Sequence, residues 1–123
     1  MDGSYLIIES SEFTQAVKTY FGNDDYYADF QSELASQPDK GSVIPGASPL
    51  RKLRWGDKRR GMGKRGGLRI VYIHIPELAV LFMLDVYGKD ESDDLTSNEK
   101  KELQAFARQL INELRERYRR GKL

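Results

Sequence analysis

The sequence predicts an α+β fold in which an antiparallel sheet packs against an N-terminal pair of helices and a long C-terminal helix. Three observations predict this class: two short amphipathic helical segments come early, three β-rich segments follow one another, and one long helical segment comes last. The predicted order of elements is β-α-α-β-β-β-α. At 123 residues the chain is expected to form one domain, residues 1–123.

The first predicted elements are a short strand and two helices. Residues 5–8 form an apolar run that predicts the strand, and residues 11–21 carry apolar side chains at helical spacing. A serine at its start is expected to cap the first helix. Asn23 is expected to cap the second helix, which stops before Pro38.

A loop is predicted over residues 38–49, because three of the four prolines fall within it. Val43 and Ile44 are expected to pin this loop to the core. The next segment, Leu50–Trp55, predicts a strand.

The predicted strand Leu50–Trp55 carries Lys52 and Arg54 two positions apart, so both side chains are expected on one face of the sheet. Trp55 at its end is expected to plug the sheet, with base stacking as the alternative. Residues 56–67 then form a loop made almost entirely of glycine, lysine and arginine.

Two apolar segments predict an antiparallel hairpin. Leu68–Ile75 and residues 79–87 are β-rich, and a short turn at Pro76 joins them. Both segments are apolar on both faces, so both are expected to be central strands. Alternation alone therefore does not decide which face Arg69 takes.

The last predicted element is a long helix. Thr96 and Glu99 form the T-x-x-E pattern of a capping box, and the helix is expected to extend to about Arg120, with Gly121 following it. Its apolar stripe consists of Leu103, Phe106, Ala107, Leu110, Ile111, Leu114 and Tyr118.

Positive charge is concentrated in one segment of the chain. The formal net charge is +1, yet residues 51–69 carry nine basic residues and one acid, whereas residues 1–50 carry two basic residues and eight acids. A local field of this kind predicts a binding site for a polyanion. A solvated loop that only keeps the protein soluble is the alternative.

Composition excludes several classes of protein. The chain has no cysteine, which excludes a disulfide scaffold, cysteine-ligated zinc and a thiol nucleophile, and favours the reducing cytoplasm. The first residues lack the basic start of a signal peptide. No apolar run approaches about 18 residues, so we expect no membrane partner.

Most catalytic patterns are missing from the sequence. The single histidine, His74, lies in a predicted strand one residue out of phase with Arg69, and a structural role is favoured. The acids of residues 90–94 match no calcium loop, and the glycines of residues 61–67 do not form a phosphate-binding Walker loop. We therefore expect neither a metal nor a cofactor.

The remaining candidates for chemistry are cations and tyrosines. Such side chains bind phosphates, stack on bases and stabilise a pentacovalent phosphorane, while RNA supplies its own nucleophile, the 2′-hydroxyl. A lysine or tyrosine can replace histidine in proton transfer if its surroundings lower its pKa. The candidates are Lys52, Arg54, Lys64, Arg65, Arg69, Tyr72, Tyr87 and Lys89. For Tyr72 and Tyr87, core packing is an equal alternative.

Several compound motifs resemble one family. The chain is similar to the RelE/HigB superfamily of bacterial type II toxins, and within it to the HigB-like branch, in the segments VIPGASPLRKLR, GMGKRGGLRIVY and VYGKDESDDL. The similarity is good over about residues 26–95 and loose in the terminal helices. It implies a microbial-RNase-like fold with a helix pair against the sheet.

The resemblance also implies an activity and its partners. Toxins of this kind are mRNA interferases that enter the ribosomal A site and cut the codon there by attack of the 2′-hydroxyl on the adjacent phosphate. The partners implied are the 70S ribosome, mRNA and a small helix-turn-helix antitoxin of the HigA type. Operator DNA would be contacted only through the antitoxin.

Roles follow from the resemblance for two groups of residues. The catalytic group is Lys52, Arg54, Arg69, Tyr87 and Lys89, with Arg69 expected on the scissile phosphate. The resemblance implies that Lys64 and Arg65 hold messenger or ribosomal RNA, and the residue types of Lys58, Arg59, Arg60 and Tyr72 add them to this group. A loop positions side chains poorly, so residues 58–60 are expected to dock RNA and not to catalyse.

The chain departs from the family at two positions. Asp90 stands where the best-studied members have a second catalytic arginine, and residues 95–96 stand near where they have a catalytic tyrosine. These departures support an alternative, a non-catalytic RNA- or ribosome-binding module. A purely structural partner of another protein, with the basic loop as its interface, is a third possibility.

Overall fold

The computed structural model describes residues 5–56, 67–88 and 95–123. Five strands, three α-helices and a short 3-10 helix at Pro76–Leu78 are formed by these residues; the strands and α-helices are numbered in chain order. They are β1 (Leu6–Glu9), α1 (Ser11–Phe21), α2 (Asp24–Ser36), β2 (Ser42–Val43), β3 (Leu50–Trp55), β4 (Leu68–Ile75), β5 (Val80–Gly88) and α3 (Ser97–Arg119). The α+β class is confirmed. The order is β-α-α-β-β-β-β-α, one strand more than predicted.

The additional strand is β2, inside the predicted loop of residues 38–49. Ser42 pairs with Lys52 and Val43 with Arg51, so β2 forms one edge of the sheet. Two residues are too few to show an alternating pattern, which is why the sequence did not reveal the strand. Ile44 is buried as expected, but Val43 is 42% exposed and does not pin the loop.

The five strands form one sheet in the order β1-β5-β4-β3-β2. Pairing is antiparallel except between β1 and β5, which run parallel, so the expectation of a wholly antiparallel sheet is corrected. Hydrophobic patterning reveals a strand but not its direction. No local hairpin fixes that direction for β1, because its partner lies some seventy residues later in the chain.

Helices cover the two faces of the sheet. The pair α1 and α2 packs on one face around Phe13 and Phe30, and α3 packs on the other face through Ala107 and Leu114. Successive residues of β4 alternate between these two cores, which explains why the strand is apolar on both faces. Central positions for β4 and β5 are confirmed.

The predicted helix caps are present. The Ser10 hydroxyl accepts from the Phe13 N–H at 3.0 Å, and the Asn23 side chain accepts from the Tyr26 N–H at 2.9 Å. Thr96 forms the reciprocal capping box at the start of α3. Each cap contributes about 1 kcal/mol. None of the described helices is long and apolar enough to cross a membrane.

A bulge in the β4–β5 hairpin fixes which residues meet across the strands. Val71 pairs with Asp85 and Tyr72 with Met83, so Leu84 is the extra residue on β5. Beyond the bulge, Arg69 pairs with Tyr87. The bulge therefore sets the face on which Asp85 and Tyr87 lie.

Candidate functional site

Three predicted site residues lie in one row across the sheet. Arg54 of β3 pairs with Arg69 of β4, which pairs in turn with Tyr87 of β5. Neighbouring strands are about 4.8 Å apart, so the row spans about 10 Å. This arrangement is called the Arg54–Arg69–Tyr87 row below.

The row lies on the sheet face that α3 partly covers. Leu50 of β3 and Val71 of β4 belong to the core cluster that contains α3 residues. Side chains two positions apart share a face, so Lys52, Arg54 and Arg69 are on that side as well. The structure thereby settles the face of Arg69 and brings it onto the same surface as the two cations of β3.

Lys52 lies in the neighbouring row, opposite Val71, and Val71 is opposite Asp85. Lys52, Asp85 and Tyr87 all line one cavity of about 330 Å³. Its other walls come from α3, from Leu95 two residues before that helix and from the start of α1, and they include Glu12, Leu103 and Phe106. This space is called the α3 cavity below.

Arg69 is the buried cation of the site. Only 8% of the residue is exposed, and its guanidinium donates to the Leu68 carbonyl oxygen at 3.2 Å. Burial lowers the pKa of Arg69, the positive charge of Arg54 lowers it further, and the Tyr87 phenol acts in the opposite direction. An arginine nevertheless stays charged at neutral pH.

Arg54 is exposed directly across the strand from Arg69. Like charges in opposed positions of neighbouring strands are destabilising. An anion bound between the two guanidinium groups would remove that repulsion, and guanidinium is well suited to phosphate because it can donate two parallel hydrogen bonds. The geometry therefore favours a phosphate-binding site.

Asp85 is a site residue that sequence reasoning missed. Asp85 as a whole residue is exposed, but partial desolvation raises the pKa of its carboxyl, the Val86 N–H bond at 2.9 Å lowers it, and the charge of Glu12 raises it again. A carboxyl that keeps its proton to higher pH is suited to proton transfer. The signal available in the sequence was an acid within the apolar run that became β5.

Tyr72 is in the core and not in the site. Its side chain is 0% exposed, its hydroxyl donates to the Pro38 carbonyl oxygen at 2.7 Å, and it accepts from the Gly41 N–H at 2.9 Å. Burial raises the pKa of this phenol. The expectation that Tyr72 holds RNA is corrected, because a base cannot reach the ring in this conformation.

Trp55 and His74 face away from the Arg54–Arg69–Tyr87 row. Trp55 packs edge-on against Phe30 with ring centroids 5.2 Å apart, as expected of a plug. His74 bonds Asp39 through Nδ1 at 2.6 Å and the Tyr5 hydroxyl through Nε2 at 2.8 Å. Both contacts are consistent with the structural role favoured for this histidine.

Several predicted site residues lie outside the described residues. They are Lys58, Arg59, Arg60, Lys64 and Arg65 of the basic loop, and Lys89 of the turn after β5. Asp90, one of the departures from the family pattern, is also outside. Their roles stay predictions.

No known protein-family model matches this chain. Within residues 5–56, 67–88 and 95–123, no group of three or more histidine or acidic side chains is arranged to hold a metal ion. The described site offers cations, one acid and one tyrosine for chemistry.

Proposed function

We propose that this protein is the toxin of a type II toxin–antitoxin system, an endoribonuclease of the RelE/HigB kind that cuts mRNA in the ribosomal A site. The observation that carries the proposal is the Arg54–Arg69–Tyr87 row, with Lys52 beside it. The motif resemblance supports the same activity. It also supports a RelE-like version of the α+β fold.

In this mechanism the two arginines hold the phosphate that is cut. Arg69 is held on a central strand and shielded from water. Its attraction for the phosphate is therefore weakly screened, and its side chain does not have to move during the reaction. Arg54 approaches the phosphate from the exposed side. Together they neutralise the negative charge that develops on the phosphorane.

Cleavage requires the transfer of one proton. The bond between the 2′-oxygen and phosphorus forms, the bond to the 5′-oxygen breaks, and the proton of the 2′-hydroxyl is in net terms delivered to the departing 5′-oxygen. The product is a 2′,3′-cyclic phosphate. Lys52, Asp85 and Tyr87 line the α3 cavity beside the row and are the candidate proton carriers, joined by Lys89 from the resemblance.

The partners are the 70S ribosome, its mRNA and a small helix-turn-helix antitoxin of the HigA type that holds the toxin inactive. Operator DNA is reached only through that antitoxin. The loop cations Lys58, Arg59, Arg60, Lys64 and Arg65 would grip ribosomal or messenger RNA. Their excess of charge, nine basic residues against one acid in residues 51–69, supports this role.

Controlled expression tests the proposal. Production of the protein alone should arrest growth, and co-production of the proposed helix-turn-helix antitoxin should restore it. The cleaved RNA should carry a 2′,3′-cyclic phosphate and a 5′-hydroxyl. Growth without arrest, or RNA ends of another chemistry, would contradict the proposed reaction.

A second candidate function is a non-catalytic RNA- or ribosome-binding module. One observation favours it: Leu95, which stands near the position of the family's tyrosine, lines the α3 cavity with an apolar side chain. Such a module would bind RNA in a salt-dependent manner and leave it intact. Intact messenger RNA on ribosomes that carry the bound protein would select this candidate.

A further inference from the structure

A cleft of about 490 Å³ lies on the outer side of β3, next to the Arg54–Arg69–Tyr87 row. It is lined by Lys40, Ser42, Val43, Ile44, Pro45, Lys52, Leu53 and Arg54. β2 pairs with β3 only at Arg51 and Lys52, so the rest of this edge of β3 borders the cleft. A volume of this order is typical of sites for small ligands. The space is called the β2 cleft below.

The cations that line the β2 cleft differ in whether a carboxylate balances their charge. Lys40 at one wall forms an ion pair with Glu33 at 2.7 Å. Within the part of the chain that the structure describes, Lys52 and Arg54 of β3 form no ion pair with a carboxylate. An anion entering the cleft is therefore drawn toward the β3 wall, which is also the wall nearest Arg69.

Apolar residues also line the β2 cleft. Val43 is 42% exposed although it is β-branched and lies in a strand, and Pro45 beside it is also exposed. Aliphatic groups of this kind can cover the face of any base, whereas specific base recognition needs directed hydrogen bonds. Cations and apolar side chains that line one cleft suit the two parts of a nucleotide, its phosphate and its base.

The chain that leads into the β2 cleft wall is held in place before any ligand binds. Tyr72 bonds both Pro38 and Gly41, and Arg51 donates to the Gly41 carbonyl oxygen at 2.6 Å. Asp39, between them, bonds His74. Because this segment is already ordered, little conformational entropy is lost there when a ligand binds.

We propose that the β2 cleft is a subsite for one nucleotide of single-stranded RNA, adjacent to the phosphate held by Arg54 and Arg69. Its phosphate lies on Lys52 and Arg54, and its base lies on Val43 and Pro45. The aliphatic surface accepts purines and pyrimidines alike. This inference deepens the proposed function and rests on it.

The test is binding of a short RNA whose 2′-hydroxyls are methylated, so that it cannot be cut. Val43→Asp places a negative charge in the β2 cleft at an exposed position and should weaken binding about tenfold. The matched control is Leu6→Asp, because Leu6 is 47% exposed on the opposite edge strand, β1. Fluorescence anisotropy of a labelled hexanucleotide gives both affinities.

Equal affinities for Val43→Asp and Leu6→Asp would overturn the subsite. If Val43→Asp does not fold, Ser42→Asp puts the same charge at another exposed position of the cleft and replaces it. Cleavage is read separately, on unmodified mRNA in a translating extract. Weakened binding without any wild-type cleavage would keep the subsite and reject the nuclease, whereas cleavage with unchanged binding would do the reverse.

Discussion

At the scale of single residues, the opposed pair Arg54 and Arg69 is a cost to the free protein. The two cations are neighbours across β3 and β4, and one of them is buried. Folded proteins usually retain a destabilising contact of this kind at functional sites, where binding or catalysis requires the residues involved. In the proposed function, the phosphate of a substrate is an anion that reduces this repulsion further.

Removing one of these charges should therefore stabilise the free protein while weakening its function. Arg54→Gln should raise Tm by about 1–4 °C, because it removes a like-charge pair across strands. This increase in Tm should become smaller as salt is added, because salt screens the repulsion between the two arginines. Thermal unfolding at two salt concentrations checks this, with Arg108→Gln on the exposed side of α3 as control. A loss of stability in Arg54→Gln would show that Arg54 is held by contacts more favourable than the repulsion.

The carboxyl of Asp85 gives a prediction with a defined pH dependence. Its pKa in the folded state is raised above the ordinary value of 3.8, so the folded state binds the proton more tightly than the unfolded state. Stability is then lost as pH rises from 3.8 through the raised pKa. Asp85→Asn should unfold at a higher temperature than wild type at pH 7.

This difference between Asp85→Asn and wild type should disappear below about pH 3.8, where Asp85 is protonated in both states. Calorimetry over a pH series measures it, with Asp29→Asn on the exposed face of α2 as control. A difference that persists unchanged at low pH would assign the effect to packing and not to ionisation.

Residue types and spacing predicted part of the site. Lys52 and Arg54 were placed on one face by their separation of two, and the structure adds Arg69 to that face. Tyr72 was left open between core and site, and Asp85 was missed, for a shared physical reason. Both faces of β4 and β5 are covered, so alternation carries no information about which side chains reach solvent.

At the scale of elements, the segment between α2 and β3 is fixed by its close approach to Tyr72. A Cβ on Gly41 would lie 2.8 Å from the Tyr72 ring and 3.1 Å from the Lys52 carbonyl oxygen. The short edge strand β2 follows directly. Its position, and with it the wall of the β2 cleft, depends on a residue without a side chain at Gly41.

Gly41→Ala should destabilise the protein by about 1–3 kcal/mol, because a methyl group must be forced into a filled space. Gly121→Ala is the comparison, since a Cβ there meets nothing within 4 Å and only the left-handed backbone, at φ 72°, opposes it. Urea unfolding measures the free energy of unfolding of both variants and shows which of them is less stable. A Gly41→Ala variant no less stable than Gly121→Ala would mean that Tyr72 moves aside freely.

Helices were predicted more completely than strands. Caps such as Asn23 and Thr96 are local signals, read from a few neighbouring residues, and they mark the helix starts in the structure. β2 and the direction of β1 depend on partners distant in the chain. Such pairings leave no local signal, so the sequence predicted the α+β class but not the full sheet.

At the scale of the whole molecule, the α3 face of the sheet is divided into two parts. Ala107 and Leu114 of α3 share a core with Leu50, Ile73 and Val80, whereas the Arg54–Arg69–Tyr87 row lies at the other end of the same strands. One end therefore supplies stability and the other supplies charge. β3 ends at Trp55 and β4 begins at Leu68, so the charged ends of both strands border the predicted basic loop of residues 56–67 in the sequence.

The basic loop should govern the long-range attraction for RNA. Replacing Lys58, Arg59 and Arg60 by alanine should make the dependence of log affinity on log salt shallower by about 2, because each phosphate contact on a single strand contributes about 0.7. Titrations of single-stranded RNA at four salt concentrations measure this slope. The control replaces Arg117, Arg119 and Arg120 at the end of α3, and an equal effect there would locate the attraction in net charge and not in the loop.

The most direct measurement is primer extension on messenger RNA in a translating extract. The wild-type protein should create new 5′ ends inside translated codons, and only while ribosomes are engaged. Arg69→Ala should lower the yield at least about a hundredfold, as expected for loss of a group that stabilises transition-state charge, while Arg108→Ala retains it. Circular dichroism verifies that both variants are folded. Full cleavage by folded Arg69→Ala, or no cleavage by the wild-type protein, would contradict the proposed site.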